Sequence, residues 1–210
     1  MKNVLLINKP SGITSYDVIR ILKKKLHPKK IGHAGTLDPL ASGLLIVLID
    51  EATKQSEKFM GMAKRYRVEM HLGIKTDTGD VDGKVTQKSD IPELNREKIE
   101  KTLIKFEGRI KQTPPIYSAI KYKGKKLYEY ARAGIKIKIK PRFIEIKKIK
   151  LLGFNRETIE LRVDCSKGTY IRTLVEDIAK KLKTVAVTSR LVRERIGNYT
   201  LNKAIKLVDL

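Results

Sequence analysis

Three stretches of this chain alternate apolar and polar residues with a period of two, and no other feature constrains the fold as tightly. Residues 64–74 carry Tyr66, Val68, Met70 and Leu72 at alternate positions, and two further alternating runs, 143–152 and 158–163, follow one another across the short link 153–157. Successive side chains of a strand point to opposite faces, so each run is a strand with one buried face, and the last two read as an antiparallel pair. Val4 to Asn8 reads as a short strand, Leu44 to Ile49 as a buried one, and Val185 to Ile196 as the final strand.

Helical stripes stand between these runs. Thr14 and Asp17 have capping-box spacing ahead of Val18, Ile19, Ile21, Leu22 and Leu26, and His27-Pro28 ends that helix. Asn95 is placed to cap a helix with Ile99, Leu103, Ile104 and Phe106 on its inner stripe, Leu127 to Gly134 holds a short amphipathic helix, and another runs from Tyr170 to Leu182. The segment from Gly32 to Pro39 has no period and many turn formers, which predicts a loop, and Asp77 to Gly83 predicts a turn. Strands and helices interleave irregularly with hairpins. That pattern predicts an α+β fold, a mixed and largely antiparallel sheet core with flanking helices, rather than a doubly wound parallel sheet. With 210 residues, 41% of them hydrophobic, one domain over 1–210 is expected.

Several chemistries are excluded by spacing. No apolar run is long enough to cross a bilayer, and Val4 to Ile7 is too short for a signal peptide, so a cytoplasmic protein is expected. The lone Cys165 forms neither an internal disulfide nor a Cys-rich zinc site and is expected to be a buried, inert thiol. Lys84 and Lys125 lack the upstream glycine of a P-loop, and no Gly-x-Gly-x-x-Gly is present. Asp77, Asp80 and Asp82 miss the offsets of a calcium loop, and His27, His33 and His71 lack ligand spacing, so any catalysis is expected to use no metal and no cofactor. The charge balance points elsewhere. Forty-six Lys plus Arg against 23 Asp plus Glu give +23, which suits a polyanion such as nucleic acid, although runs such as Lys23-Lys24-Lys25 also fit plain solvated faces.

Asp38 lies in the glycine-rich loop, flanked by Leu37, Pro39 and Leu40. On local sequence alone an aspartate before proline is a turn former. The whole run Gly32-His33-Ala34-Gly35-Thr36-Leu37-Asp38-Pro39-Leu40-Ala41-Ser42-Gly43, however, closely resembles the catalytic motif of the TruB family of tRNA pseudouridine synthases. The resemblance continues in order through Asn8 to Ser15, Lys64-Arg65-Tyr66, Thr76 to Asp80, Pro114 to Lys121, Gly124 to Arg132 and Cys165 to Leu174.

This resemblance implies an enzyme that converts uridine at position 55, in the T-loop of tRNA, to pseudouridine after flipping the base. It implies Asp38 as nucleophile, Arg172 as the arginine whose fixed charge keeps Asp38 ionised, and Tyr66 as a catalytic ring that stacks on the target base and takes part in removing its carbon 5 proton. His33 matches the histidine that helps extrude bases, and Tyr170 and Leu191 match positions lining the uracil pocket. RNA contacts fall on Lys64, Arg65, Lys121, Arg132, Arg142, Lys167 and Arg193, and residues 117–143 correspond to an inserted lobe that closes over the RNA loop. From the residues alone, Tyr66 fits equally well as a core aromatic, Arg172 as an exposed helix residue and the lobe as a solvated hairpin.

Two departures from the family pattern stand out. The chain reaches Leu210 without the C-terminal PUA or PUA-like domain usual in the family, which predicts RNA binding that leans on charge and weakens steeply with salt. The family's Leu-Arg-Arg run reads Leu191-Val192-Arg193. Two other functions compete: a non-catalytic RNA chaperone, which has no need of an Asp38-Arg172 pair, and an RNA-guided synthase working inside a multi-protein particle. The first reading expects tRNA as partner, with no membrane and no obligate protein partner.

Overall fold

The computed structural model describes residues 3–209. In chain order its strands and helices are β1 (Val4–Lys9), α1 (Ser15–Leu26), β2 (Ile31–His33), β3 (Ser42–Ile49), α2 (Ser56–Gly61), β4 (Lys64–Leu72), β5 (Ile74–Thr76), β6 (Val85–Lys88), α3 (Arg96–Leu103) and β7 (Gly108–Gln112). There follow β8 (Lys121–Tyr122), β9 (Lys125–Lys126), α4 (Leu127–Arg132), β10 (Arg142–Phe154), β11 (Thr158–Cys165), α5 (Ile171–Lys181), β12 (Ala186–Ile196), β13 (Tyr199–Thr200) and β14 (Ile205–Lys206).

Ten strands form one sheet, ordered β14-β1-β3-β12-β4-β11-β10-β7, with β2 paired to β3 and β13 to β12. Among the described residues the strand pairs β1/β14 and β3/β12 are parallel and the others antiparallel, so the sheet is mixed and largely antiparallel, as the sequence pattern predicts. The alternation of residues 64–72 has the expected meaning. Tyr66, Val68, Met70 and Leu72 of β4 enter the main core with α3, α5 and the inner faces of β10 and β11, while Arg65 and Arg67 point to the opposite face. β3 differs because both of its faces are covered: Leu44, Ile46 and Leu48 pack towards α2, and Leu45 and Val47 towards α1. That is why Leu44 to Ile49 shows a continuous apolar run rather than alternation.

The predicted caps are present. In α1 the Asp17 amide donates to Thr14 Oγ1 at 3.0 Å and the Thr14 amide to Asp17 Oδ2 at 2.7 Å, while His27 closes the helix in the left-handed region. The Asn95 side chain accepts from the Lys98 amide at 2.9 Å.

Three local expectations need correction. Gly32 to Pro39 is not loop throughout, because β2 pairs its first residues with β3, and main-chain bonding there needs no apolar pattern. The strand ending at Ile196 is not the last, since β13 folds back on it and β14 joins β1. β7 sits at the sheet edge with little buried surface, so its sequence carries no strand signature. Cys165 is buried and unpaired, and burial pushes its thiol up to about 12. Among the described residues no helix is long and apolar enough to cross a membrane.

β3 meets β12 over two residue pairs, Ser42 with Val192 and Gly43 with Arg193. A Cβ at Gly43 would lie 2.5 Å from the Arg193 carbonyl oxygen, and its φ of +102° excludes most side chains in any case. Gly43→Ala is therefore expected to destabilise the protein by about 3 kcal/mol or more, read from denaturant unfolding. A loss below about 1 kcal/mol would show that the strands separate cheaply there.

Candidate active site

The loop carrying Asp38 is held from both sides by buried groups. From the start of α1, Ser15 Oγ accepts from the Leu37 amide at 2.8 Å and donates to the Leu37 carbonyl at 3.1 Å, and from the turn before it the Gly12 amide donates to the Pro39 carbonyl at 2.9 Å. Lys9 is fully buried, its ammonium donating to the carbonyls of Ile13 at 2.6 Å, Pro10 at 2.9 Å and Pro39 at 3.3 Å. From the other side Arg193 of β12 spreads its guanidinium over the carbonyls of Leu44 (2.8 Å), Gly35 (2.9 Å) and Thr36 (3.4 Å). A glycine-rich loop has little intrinsic rigidity. These cations supply it, because buried carbonyls need donors and a buried cation needs acceptors.

Arg172, in the first turn of α5, is buried rather than exposed. Its Nε lies 2.9 Å from Asp38 Oδ2, its Nη1 donates to the Thr78 carbonyl at 2.5 Å, and its Nη2 donates to the Tyr117 carbonyl at 2.8 Å. A second carboxylate, Asp80, sits 3.7 Å from Nη1. It is placed by the turn after β5, which is stitched to β12 through Thr188 and in which Thr78 Oγ1 donates to Asp80 Oδ1 at 2.6 Å.

Asp38 and Arg172 open into a cavity of about 330 Å³ whose lining includes Lys64, Tyr66, Tyr170 and Leu191. Tyr66 thus belongs to the core and to the cavity wall at once. Burial raises its phenol, and the neighbouring Arg193 opposes that rise. Burial also pushes the Asp38 carboxyl above the usual range; Arg172 pulls it down, Asp80 pushes it up, and Lys9 pulls it down more weakly. The guanidinium's expected pull is present but second to desolvation. With 38% of its side-chain surface exposed, the carboxylate still reaches an occupant of the cavity.

The sequence-predicted site divides. Asp38, Tyr66, Arg172, Tyr170, Leu191, Lys64 and Arg193 gather at one cavity, whereas His33 stands on β2 outside its lining. Lys121, Arg132, Arg142 and Lys167 are exposed, Lys167 between the lining residues Ser166 and Gly168. Three expected RNA contacts are otherwise engaged. Arg193 is buried against carbonyls, and Lys64 donates inward to the carbonyls of Met60 and Met62 at 2.6 Å each. Arg65 faces away from the cavity, clamped to both oxygens of Asp164 at 2.8 and 2.9 Å. Lys9 and Asp80 are the residues that sequence reasoning missed. Asp80 sits in a matched block, but nothing local sets it apart from Asp77 or Asp82. Among the described residues no cluster of three or more His, Cys, Asp or Glu could hold a metal ion.

The arrangement is that of an RNA pseudouridine synthase. A solved Cbf5-Nop10-Gar1 complex contains a chain 31% identical to this one that superposes with a TM-score of 0.78 over 99% of it; this chain spans 53% of that partner's length. The model of the TruB family pseudouridylate synthase N-terminal domain matches residues 23–171. The tRNA pseudouridine synthase B of Endomicrobium trichonymphae is 47% identical over 98% of this chain and 90% of its own, and that of Mesoplasma florum 45% over 97% and 72%. The chain belongs to the TruB family of pseudouridylate synthases.

The Asp38 shift is directly measurable. Its carboxyl carbon should titrate in NMR with a midpoint above the ordinary aspartate value of about 3.9. Asp80→Asn should lower that midpoint by removing a like charge. A midpoint at or below the ordinary value, or one unmoved by Asp80→Asn, would contradict this account of the site.

Proposed function

We propose that this chain isomerises the uridine at position 55, in the T-loop of transfer RNA, to pseudouridine, with Asp38 as the nucleophile acting on a base flipped into the cavity. One observation carries the reading: a carboxylate 2.9 Å from a buried guanidinium opens into a cavity walled by Tyr66. Breaking the glycosidic bond, turning the base and rejoining it through carbon 5 calls for a carboxylate near the sugar or ring and a pocket that keeps the loose base. Both the bond broken and the bond made lie within one nucleotide, so the proposal involves no metal and no cofactor.

Tyr66 offers a face for the unstacked base, worth roughly 1–3 kcal/mol. Tyr170 and Leu191 bound the same space. The stretch between β7 and β10 acts as the inserted, RNA-closing lobe, with Lys121, Arg132 and Arg142 contacting phosphates together with Lys167, while His33 meets the RNA outside the base pocket. The protein works in the cytoplasm, without an obligate protein partner. The solved relative named for its complex with Nop10 and Gar1 favours an RNA-guided reading. The tRNA reading is preferred because the relative of which this chain covers 90%, at 47% identity, is named for tRNA. A chaperone leaves the Asp38–Arg172 pair unexplained.

Purified protein incubated with unmodified tRNA tritiated at uracil carbon 5 should release tritium, and Asp38→Asn should cut the rate by more than about 10³-fold. Equal release from both proteins, or none from either, ends the assignment. Tyr66→Ala should slow turnover far more than Tyr122→Ala; similar rates would reduce Tyr66 to a core residue. Lys121→Gln with Arg132→Gln should weaken tRNA binding and flatten its salt dependence by about one logarithmic unit per lost cation. An unchanged slope would remove both from the RNA contact.

A further inference from the structure

Lys64 lines the same cavity as Asp38 and is held there through its ammonium. Its ammonium has three donors. Two are held by the carbonyls of Met60 and Met62, at 2.6 Å each, and Lys64 itself lines the cavity with Met60, Tyr66 and Arg193. It shares the inner face of β4 with Tyr66, two residues along. Only 8% of the residue is exposed, so a phosphate contact is closed to it while a ligand inside the cavity is not. An ammonium fixed by two carbonyls keeps a third N–H, and that is the donor available to a ligand in the cavity.

We propose that Lys64 is a catalytic residue which donates to the uracil ring while the ring is detached and delivers the proton that the product carries on N1. This rests on the isomerisation proposed above. When the N1–C1′ bond breaks, its electron pair stays on N1 and leaves uracil as an anion, while the Asp38 carboxylate takes up C1′ until C5 displaces it. Attack on C1′ through C5 uses the pair of the C5=C6 bond and leaves an N1=C6 double bond. Loss of the C5 hydrogen as a proton to a base in the site restores C5=C6 and returns a pair to N1, which takes a proton from Lys64 Nζ. Water then reprotonates the amine. One proton leaves C5 and one joins N1, so the isomerisation balances.

The surroundings suit an acid that works near neutrality. Burial, with Arg193 on β12 and Lys167 after β11 adding to it, lowers Lys64 to about 8, and Cys165 on β11 opposes them. Tyr66 and Asp38 line the same cavity. A group lowered to this value donates below it and loses that ability above it, so the single-turnover rate should fall as pH rises through about 8.

The test measures single-turnover pseudouridine formation in tRNA by the wild-type enzyme, Lys64→Met and Lys64→Arg between pH 6 and 9.5, with tRNA affinity measured alongside. Lys64→Met should lose about 10²-fold or more in rate and lack the alkaline fall, while binding tRNA within about threefold of wild type. Lys64→Arg, which keeps a charge that does not ionise, should also lack the alkaline fall. A Lys64→Met rate within threefold of wild type, or an alkaline fall that persists in either variant, overturns the proposal. A wild-type profile flat to pH 9.5 overturns it too, even if neither variant folds. Wild-type protein that makes no pseudouridine at all sinks the isomerisation reading instead, so the two failures are distinct.

Discussion

The Arg172 guanidinium is the point on which the pocket depends. Through one buried cation it ties together four separate pieces of chain: the loop at Asp38, the turn at Thr78 and Asp80, the start of the lobe at Tyr117, and its own helix α5. Removing one partner of a buried pair commonly costs 3–5 kcal/mol, because the other charge is left stranded. Here the loss would also free two carbonyls and the lobe's first residues. The group that holds the carboxylate thus also anchors the beginning of the stretch that follows β7.

Charge is spent differently on the two sides of the sheet. On the outer face Arg65 and Arg195 share Asp164, Arg67 pairs with Glu160, and Arg162 with Glu194. Partly exposed surface pairs of this kind add modest stability, yet they neutralise most of what those strands present. On the cavity side Lys9, Lys64 and Arg193 bond main-chain carbonyls rather than carboxylates. Of these, Lys9 adds its charge to that of Arg172 beside Asp38, which suits a site through which negative charge passes.

Much of this was legible in the residues because periodicity and caps are local. The alternation at 64–72 and 158–163, the Thr14–Asp17 box and the Asn95 cap each depend on neighbours a few positions away. The long motif around Asp38 and the matched block at Arg172 gave the site's two central residues. What stayed hidden depends on distant contacts. Lys9 reads as a surface residue until Ile13 and Pro39 surround it, and Arg193 looks free to meet RNA until β3 and its loop pack over it. Arg65 and Tyr66 lie side by side in sequence and on opposite faces in space, so a matched block cannot by itself distribute roles among its members. β7, with one polar edge in solvent, leaves no periodic trace.

The stretch carrying β8, β9 and α4 leaves β7 at Gln112 and returns on β10 at Arg142, and those two residues are direct partners in the sheet. The gap it must span is therefore one interstrand spacing, about 5 Å, whatever lies between. A segment of another length or composition closes the same gap without disturbing the strands beneath. What cannot vary so freely is its beginning, because Tyr117 accepts from Arg172 and Ser118 and Ala119 line the cavity beside Asp38.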